Sequence, residues 1–516
     1  MRDWQKKHEG IFIISLMTQS AYHQLELRFK RLSALSGAEA MLHWDMSTMM
    51  PSGGVEARAE QLAELKAIQH GLLVSKETTE LITKAESDKN ELNDWQASNL
   101  RNMKRRWVKA TALSEDLVIA LSKACSICET TWRTARSNSN FAEVSPALEE
   151  VLNLTRQTAQ AKGEKLGLSA YDALLDDYEP GARTSDIDPI FEELEAFLPD
   201  FLGLALEEQS SRQKPILPTG FFKEEKQKAL GQKLMRAFGF DFNHGRLDTS
   251  LHPFCGGTPD DVRITTRYDE RDFTSSLMGV LHETGHALYE RGLPKRWRGQ
   301  PVGEALGMSI HESQSLLIEM QICRSREFLK FSAPIMKTAF NGSGPEWKFE
   351  NLSRLFTQIK PGFIRVDADE VTYPAHIIVR YNLERALIEG DMEIVDLPSS
   401  WNSGIKKFLG IKPTNDRDGC LQDVHWFDGA WGYFPTYTLG AMIAAQLYET
   451  AKVSNPEIKA GISEGNFKPL FSWLIYNVHS QGSLTNAKDL LIKVTKKSLS
   501  TKIFKSHLQS RYLEKN

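Results

Sequence analysis

Two imidazoles and one carboxylate stand at the spacing H-E-x-x-H in His282-Glu283-Thr284-Gly285-His286. On an α-helix, positions four apart return to nearly the same face about one turn along the axis. Both imidazoles can therefore ligate one metal ion. Glu283 lies three positions before the second histidine, beside that face, where its carboxylate can take a proton from a water acidified by the metal. The surrounding residues 277–290 read as one amphipathic helix. Asp272 and Thr274 are its N-cap candidates, and Arg291-Gly292-Leu293-Pro294 supplies the stop. The competing reading, two unrelated histidines on a helix surface, needs a coincidence of residue types in the helical context that the chemistry also requires.

A catalytic zinc takes three protein ligands and keeps a further position open for water, so a third donor has to come from elsewhere. Glu290, Glu304, Glu312, Glu319 and His311 are the downstream candidates. Glu290 continues along the motif helix and runs past the ion. Residues 303–321 read as a second helix that can cross the first, with Glu312 near its middle. Geometry thus favours Glu312 and leaves Glu304, Glu319 and His311 open.

Around these residues the 516-residue chain reads as mainly α, because apolar positions recur at three and four, as in Leu25, Phe29, Leu32 and Leu35. The clearest strand candidate, residues 261–268, is rich in Val, Ile and Thr and precedes the motif helix, so a small β-sheet is expected beside it. No Pro-rich or Gly/Ser-rich linker interrupts the chain. A single catalytic domain over residues 17–516 is expected, with a helical part to about 250 and an active-site part from about 251.

The net charge of −4 with 25% charged residues favours neither nucleic acid nor an anionic membrane as a partner. Lys493, Lys496, Lys497, Lys502 and Lys505 alternate with apolar residues, as on a solvated helix face. Five cysteines form no disulfide framework, which fits a reducing, cytoplasmic compartment. Cys125 and Cys128 form a C-x-x-C pair inside a helical pattern and read as buried helix residues. Residues 1–16 read as a non-functional extension with Met17 as initiator: the apolar run after Lys6 and Lys7 is too short for a signal sequence and is preceded by Glu9. No window approaches the roughly 20 apolar residues of a membrane span.

Several separate motifs resemble those of the carboxypeptidase Taq family of metallocarboxypeptidases. They are His252-Pro253-Phe254, Asp261-Val262-Arg263-Ile264-Thr265, His311-Glu312-Ser313-Gln314, Ile364-Arg365-Val366-Asp367-Ala368-Asp369, and Gly419-Cys420-Leu421-Gln422-Asp423-Val424-His425-Trp426. Similarity also shows at Trp44-Asp45, Met50-Pro51, Gly53-Gly54 and Tyr178-Glu179-Pro180-Gly181. The resemblance implies Glu312 as the third ligand, a large helical body with a deep central active-site groove, a homodimer, and peptide substrates. It also points to Arg365 as the residue that holds the substrate's terminal carboxylate.

On this reading one divalent metal is held by His282, His286 and Glu312. Zinc is expected, with cobalt and manganese as alternatives that the ligand set does not separate. Glu283 acts as general base and then passes the proton to the leaving amine. The oxyanion needs a fixed donor besides the metal, for which His425 and Tyr433 are the candidates, with Tyr437 in reserve and also placed with the substrate-binding residues. Arginine suits a terminal carboxylate because its planar fork pairs with two oxygens, and Arg263 is the alternative to Arg365. The structural alternatives are a salt bridge from Arg365 to Asp367 or Asp369, a core role for His425 beside Trp426, and aromatic packing for Tyr433. His252 and His376 are expected in the core or behind the ligands. The function expected is metal-dependent removal of C-terminal residues with broad specificity. An oligopeptidase cutting internal bonds and a non-catalytic peptide-binding protein are the competing readings, the latter disfavoured by an intact Glu283.

Overall fold

The computed structural model describes residues 20–514; the expected extension and Met17 lie outside them. The architecture is mainly α, as expected, with one three-stranded sheet among the described residues. The N-terminal helix Ala21–Thr48 starts at an N-cap Ser20 and buries Leu25, Phe29 and Leu32. These join Ile82, Leu100 and Met103 in a cluster of their own. The main core runs from Ala124 to Tyr512, so it crosses residue 250 without a break in packing. None of the described helices is long and apolar enough to cross a membrane.

The sheet consists of β1 (Gly245–Thr249), β2 (Cys255–Thr258) and β3 (Asp261–Thr266) in the order β1-β3-β2. β3 pairs in parallel with β1 and antiparallel with β2. The strand expected at 261–268 is present but ends two residues earlier, at Thr266. Because side chains alternate across a strand, Val262 and Ile264 share one face. They pack with Leu247 against Val280 and Ala287 of the motif helix.

That helix, Phe273–Gly292, begins at Asp272, whose side chain accepts from the backbone N–H of Thr274 at 2.8 Å. It is buried on more than one face rather than amphipathic, since it is covered by the sheet on one side and by the helix Gly307–Leu316 on another. This second helix also packs along Pro435–Ser454. The expected helix over 303–321 is corrected in two ways. Pro301–Gly303 is a short 3-10 turn, and the α-helix starts only at Gly307, where φ of +53° sets the entry. From Leu317 to Cys323 the chain widens into a π-helix, an arrangement that shifts side chains off the α-helical register and often marks functional sites. Glu304 lies outside the helix, half exposed and ion-paired with Arg106, which removes it as a metal ligand.

Gly285 permits the crossing. A Cβ there would stand 2.4 Å from the carbonyl oxygen of Gln314 and 2.5 Å from the Cα of Ser315. On the other side of the same helix, a Cβ on Gly440 would stand 2.8 Å from Cβ of Glu312. The helix that carries Glu312 is thus held between two glycines, each on a neighbouring helix. Gly285→Ala meets rigid backbone, so it is expected to destabilise the protein by about 3 kcal/mol. Thermal unfolding measures this, and an unchanged melting temperature would show that the two backbones can separate at no cost.

Candidate active site

The α-helical spacing does what the motif requires. The rings of His282 and His286 lie 5.0 Å apart, and donor atoms of His282, His286 and Glu312 all fall within 4.8 Å of one another. Each imidazole is oriented through its other nitrogen. Nδ1 of His282 stands 3.0 Å from a carboxylate oxygen of Glu319, and Nδ1 of His286 stands 3.1 Å from the carbonyl oxygen of His311. With Nδ1 donating in both, Nε2 is left as the basic nitrogen. It faces Glu312 Oε2 at 4.0 Å from His282 and 3.4 Å from His286. Hydrogen bonding at the outer nitrogen fixes tautomer and ring angle in metal-ligating histidines. Glu319, one of the open third-ligand candidates, therefore sits behind His282 instead of beside an ion. His311 turns away to Glu290, 3.0 Å from its Nε2, so these two candidates pair with each other.

The electrostatics fit a cation. Burial disfavours charge on His282, yet Glu312, Glu319 and Glu283 outweigh it and hold the imidazole up to about 10. His286, buried and next to His311, is pushed down to about 4. Burial pushes Glu283 up to about 7, opposed by His282 and reinforced by Glu312. Three carboxylates around two imidazoles in a largely buried pocket call for positive charge, and His282, His286 and Glu312 are the residues that would hold a divalent ion supplying it. Glu319 is buried too, but its hydrogen bond from His282 and the neighbouring Arg324 hold it down at about 2.

Beyond Glu312 the site continues through aromatic side chains. The hydroxyl of Tyr373 points to Glu312 Oε1 at 3.5 Å, and its ring lies 6.2 Å from that of Tyr437. Tyr437 in turn meets Tyr433 edge-on at 5.1 Å, and its hydroxyl stands 3.4 Å from His425 Nε2. The guanidinium of Arg365 lies over the Tyr437 ring at 4.7 Å. Arg365, His425, Tyr433 and Tyr437 are thus brought together with the metal-ligand candidates. His425 is buried and pushed down to about 4, which keeps its ring neutral at physiological pH.

Arg365 makes neither of the bridges to Asp367 and Asp369 weighed as the structural alternative. Its Nε and Nη2 donate to Asp423 Oδ1 at 3.0 and 2.9 Å, linking two motifs that are remote in sequence. Arg380, which sequence reasoning missed, donates from Nε to the other oxygen of Asp423 at 2.7 Å and from Nη2 to Gln422 at 2.8 Å. One aspartate between two arginines leaves a net positive charge, and together the arginines hold Asp423 well below the usual carboxylate range despite its burial. Nη1 of Arg365 donates to no protein group among the described residues.

Arg263 is placed differently from the expectation. It alternates with Val262 and Ile264, so it leaves the sheet on the face away from the motif helix, where it pairs with Asp261 at 2.7 Å and lies over Trp44 at 4.3 Å. His376 is fully buried, as expected, whereas His252 is exposed on the loop between β1 and β2. Also missed were Tyr373, Glu179 and Glu384. Glu179 is buried and accepts from the backbone N–H of Ser309 at 2.7 Å, tying the Tyr178-Glu179-Pro180-Gly181 turn to the helix of Glu312. Glu384 accepts from the Gly432 N–H at 2.6 Å, the Tyr171 hydroxyl at 2.9 Å and Trp426 Nε1 at 3.3 Å, so it fixes the loop that carries His425 and Tyr433. A glutamate amid apolar residues in a helical pattern was the available signal for Glu384.

A family model described as Carboxypeptidase Taq (M32) metallopeptidase matches residues 24–512. Thermostable carboxypeptidase 1 of Thermus thermophilus is 37% identical over 508 residues, covering 96% of this chain and 99% of that protein. Carboxypeptidase 1 of Bacillus subtilis is 36% identical over 490 residues, covering 94% and 96%. Among solved structures, Trypanosoma cruzi metallocarboxypeptidase 1 superposes with a TM-score of 0.94 at 38% identity, over 96% of this chain and 99% of that one.

Burial pushes Glu384 from its ordinary value of 4.5 up to about 8, against its three donors. Between these values the unfolded chain releases a proton that the folded protein retains, so this group's contribution to stability falls as pH rises from about 4.5 to about 8. Urea unfolding across that window should show the decline, and Glu384→Gln should make it shallower, most clearly near its upper end; an identical slope in the variant would assign the pH dependence elsewhere.

Proposed function

The chain belongs to the carboxypeptidase Taq (M32) family of metallopeptidases and is a metal-dependent carboxypeptidase, and we propose that it removes single residues from peptide C-termini through the constellation around His282, Glu283 and Arg365. The ion is proposed to be zinc, held by His282, His286 and Glu312, a ligand set that zinc takes in catalytic sites and that cobalt or manganese would also accept. When bound, such an ion supplies Lewis acidity to the scissile carbonyl and acidifies a water. Glu283 would act as the general base towards the attacking water and then as the acid towards the leaving amine, and an affinity for protons raised to near neutrality suits both acceptance and release. Tyr433, Tyr437 and neutral His425 line the side of the site beyond Glu312, where hydroxyl donors can meet the developing oxyanion. The five cysteines are free, which supports a reducing, cytoplasmic compartment. A homodimer is proposed from the family resemblance.

One observation carries the choice of a C-terminal exopeptidase over an internal cutter. Arg365 is 7% exposed, its Nε and Nη2 are fixed by Asp423, and its Nη1 is uncommitted, above the ring of Tyr437 and among the residues that lead to Glu312. A buried cation with a free donor suits a ligand that brings its own negative charge. Asp423 does not cancel this charge, because Arg380 pairs with the same carboxylate.

Peptides with free and amidated C-termini test the reading. The free peptide should be cleaved at least about a hundredfold faster in kcat/KM, since the amide leaves Arg365 without its anion. Comparable rates would sink the exopeptidase assignment in favour of an oligopeptidase. Two substitutions divide the roles of the glutamates in the metal pocket. Glu283→Gln should abolish turnover with metal still bound, whereas Glu319→Gln should weaken metal binding by about 10- to 100-fold in a chelator competition. Full activity in the first variant, or unchanged metal affinity in the second, would refute the corresponding role.

A further inference from the structure

The π-helix Leu317–Cys323 ends in the protein interior. Met320, Gln321, Ile322 and Cys323 are all buried, so bulk water is kept from the carbonyls of this last turn, which a helix leaves without partners of its own. The carbonyl of Ile322 accepts from the backbone N–H of Ser325 at 2.8 Å. Those of Met320 and Gln321 are met by a side chain of the C-terminal helix Thr501–Tyr512: Arg511 donates through Nη1 to Met320 and through Nη2 to Gln321, the latter at 3.1 Å.

An ion pair alone would not require this geometry. Nη1 of Arg511 also donates to Glu370 at 2.9 Å, and Glu370 is fully enclosed, with Nε2 of His507 at 2.5 Å and the hydroxyl of Tyr512 at 3.1 Å. The planar fork lets one charge answer Glu370 and still reach two backbone carbonyls through two nitrogens, which the single nitrogen of a lysine does not offer. The side chain of Gln321 reaches the same group, with Nε2 at 3.4 Å from Glu370 and 3.2 Å from His507. Glu319 stands immediately before these two anchored residues. Its carboxylate meets Nδ1 of His282 at 3.0 Å and accepts from Arg324 at 2.8 Å. Closing the segment to α-helical spacing would rotate Glu319 about the helix axis and off His282.

We propose that Arg511 is a positioning residue for the metal site: by capping the carbonyls of Met320 and Gln321 it holds the π-helix in its wide form, and thereby keeps Glu319 on the outer nitrogen of His282. The inference rests on the reading of His282 as a metal ligand. None of the hydrogen bonds of Arg511 goes to His282, Glu283, His286 or Glu312, so its effect reaches them through Glu319. A buried carbonyl left without a donor is costly, which gives the segment reason to close when Arg511 is removed.

Zinc affinity of the full chain, measured by chelator competition alongside thermal unfolding of the metal-free protein, tests this in a double-mutant cycle. Arg511→Met should weaken zinc binding at least about fivefold in the unaltered background and less than about twofold once Glu319→Gln is present, because the route it acts through is then already cut. A purely structural role would lower the melting temperature and cost the same affinity in both backgrounds. Arg511→Lys keeps a positive charge beside Glu370 without the second nitrogen, so it carries the same expectation where Arg511→Met disturbs folding. His282→Ala separates the two readings. If it leaves zinc affinity unchanged, the ligand assignment fails and the inference with it. If it weakens zinc binding while the Arg511 variants lose less than about fivefold, or lose more than about twofold with Glu319→Gln present, the role of Arg511 alone is overturned.

Discussion

Charge compensation in a water-poor interior is the constraint on which the rest of this structure depends. Glu283, Glu312 and Glu319 gather around two imidazoles, and each would be expensive to bury alone. The chain answers with cations on separate elements. Arg324 takes the outer oxygen of Glu319, leaving the inner one for His282. Further back, Glu370 is fully enclosed and is met by Arg511 and His507 from the C-terminal helix Thr501–Tyr512. Where no cation is provided the carboxyl holds its proton more firmly, as Glu179 and Glu384 do at about 7 and about 8. Burial thus separates glutamates that a neighbouring cation holds down, as Glu319 and Glu370, from those that it pushes up and that tie loops together, as Glu179 and Glu384.

Geometry is set by backbone proximity. The helix that carries Glu312 packs between Gly285 and Gly440, with no space for a methyl group on either side. Gly440 follows Tyr437 by three residues, so the surface that touches Glu312 is one turn from the tyrosine facing Arg365. A metal-ligand candidate and a tyrosine beside Arg365 are thus set by one helix contact. A shift of that contact would move both together, which keeps their separation constant.

The chemistry was legible in the sequence because it is local: a pentad on one helix, a glutamate on the next, and a family of short motifs. The mainly helical fold was legible for the same reason, through apolar spacing. What could not be read is how motifs meet. Asp423 was a candidate for nothing, yet it joins Arg365 to Arg380; Arg380 looked like one more charge in the helix Tyr373–Glu389. Glu319 was weighed as a ligand because it lies downstream of the pentad on the expected second helix. The π-helix from Leu317 breaks the α-helical register, and the side chain reaches the outer nitrogen of His282. Arg263 was misplaced because the sheet's buried face was unknown: one position along a strand reverses a side chain.

Two short segments do a disproportionate share of the positioning. The π-helix delivers Glu319 to His282 near its start and ends at Arg324, so orientation of a metal-ligand candidate and neutralisation of its partner come from residues five apart. The helix Tyr373–Glu389 does the corresponding work on the substrate side. Tyr373 reaches Glu312 from its first turn, Arg380 anchors Asp423 from the middle, and Glu384 holds the Trp426 to Gly432 loop one turn later. Both segments are internal, and Arg365, in a short 3-10 turn, and the loop of His425 are tied to the second of them through Asp423 and Glu384. Side chains are thereby held at hydrogen-bond distances of about 3 Å between heavy atoms. Positioning of the metal-ligand candidates therefore draws on groups outside the pentad's two histidines: Gly285 and Gly440 set the approach of the Glu312 helix, and Arg324 holds the Glu319 that orients His282.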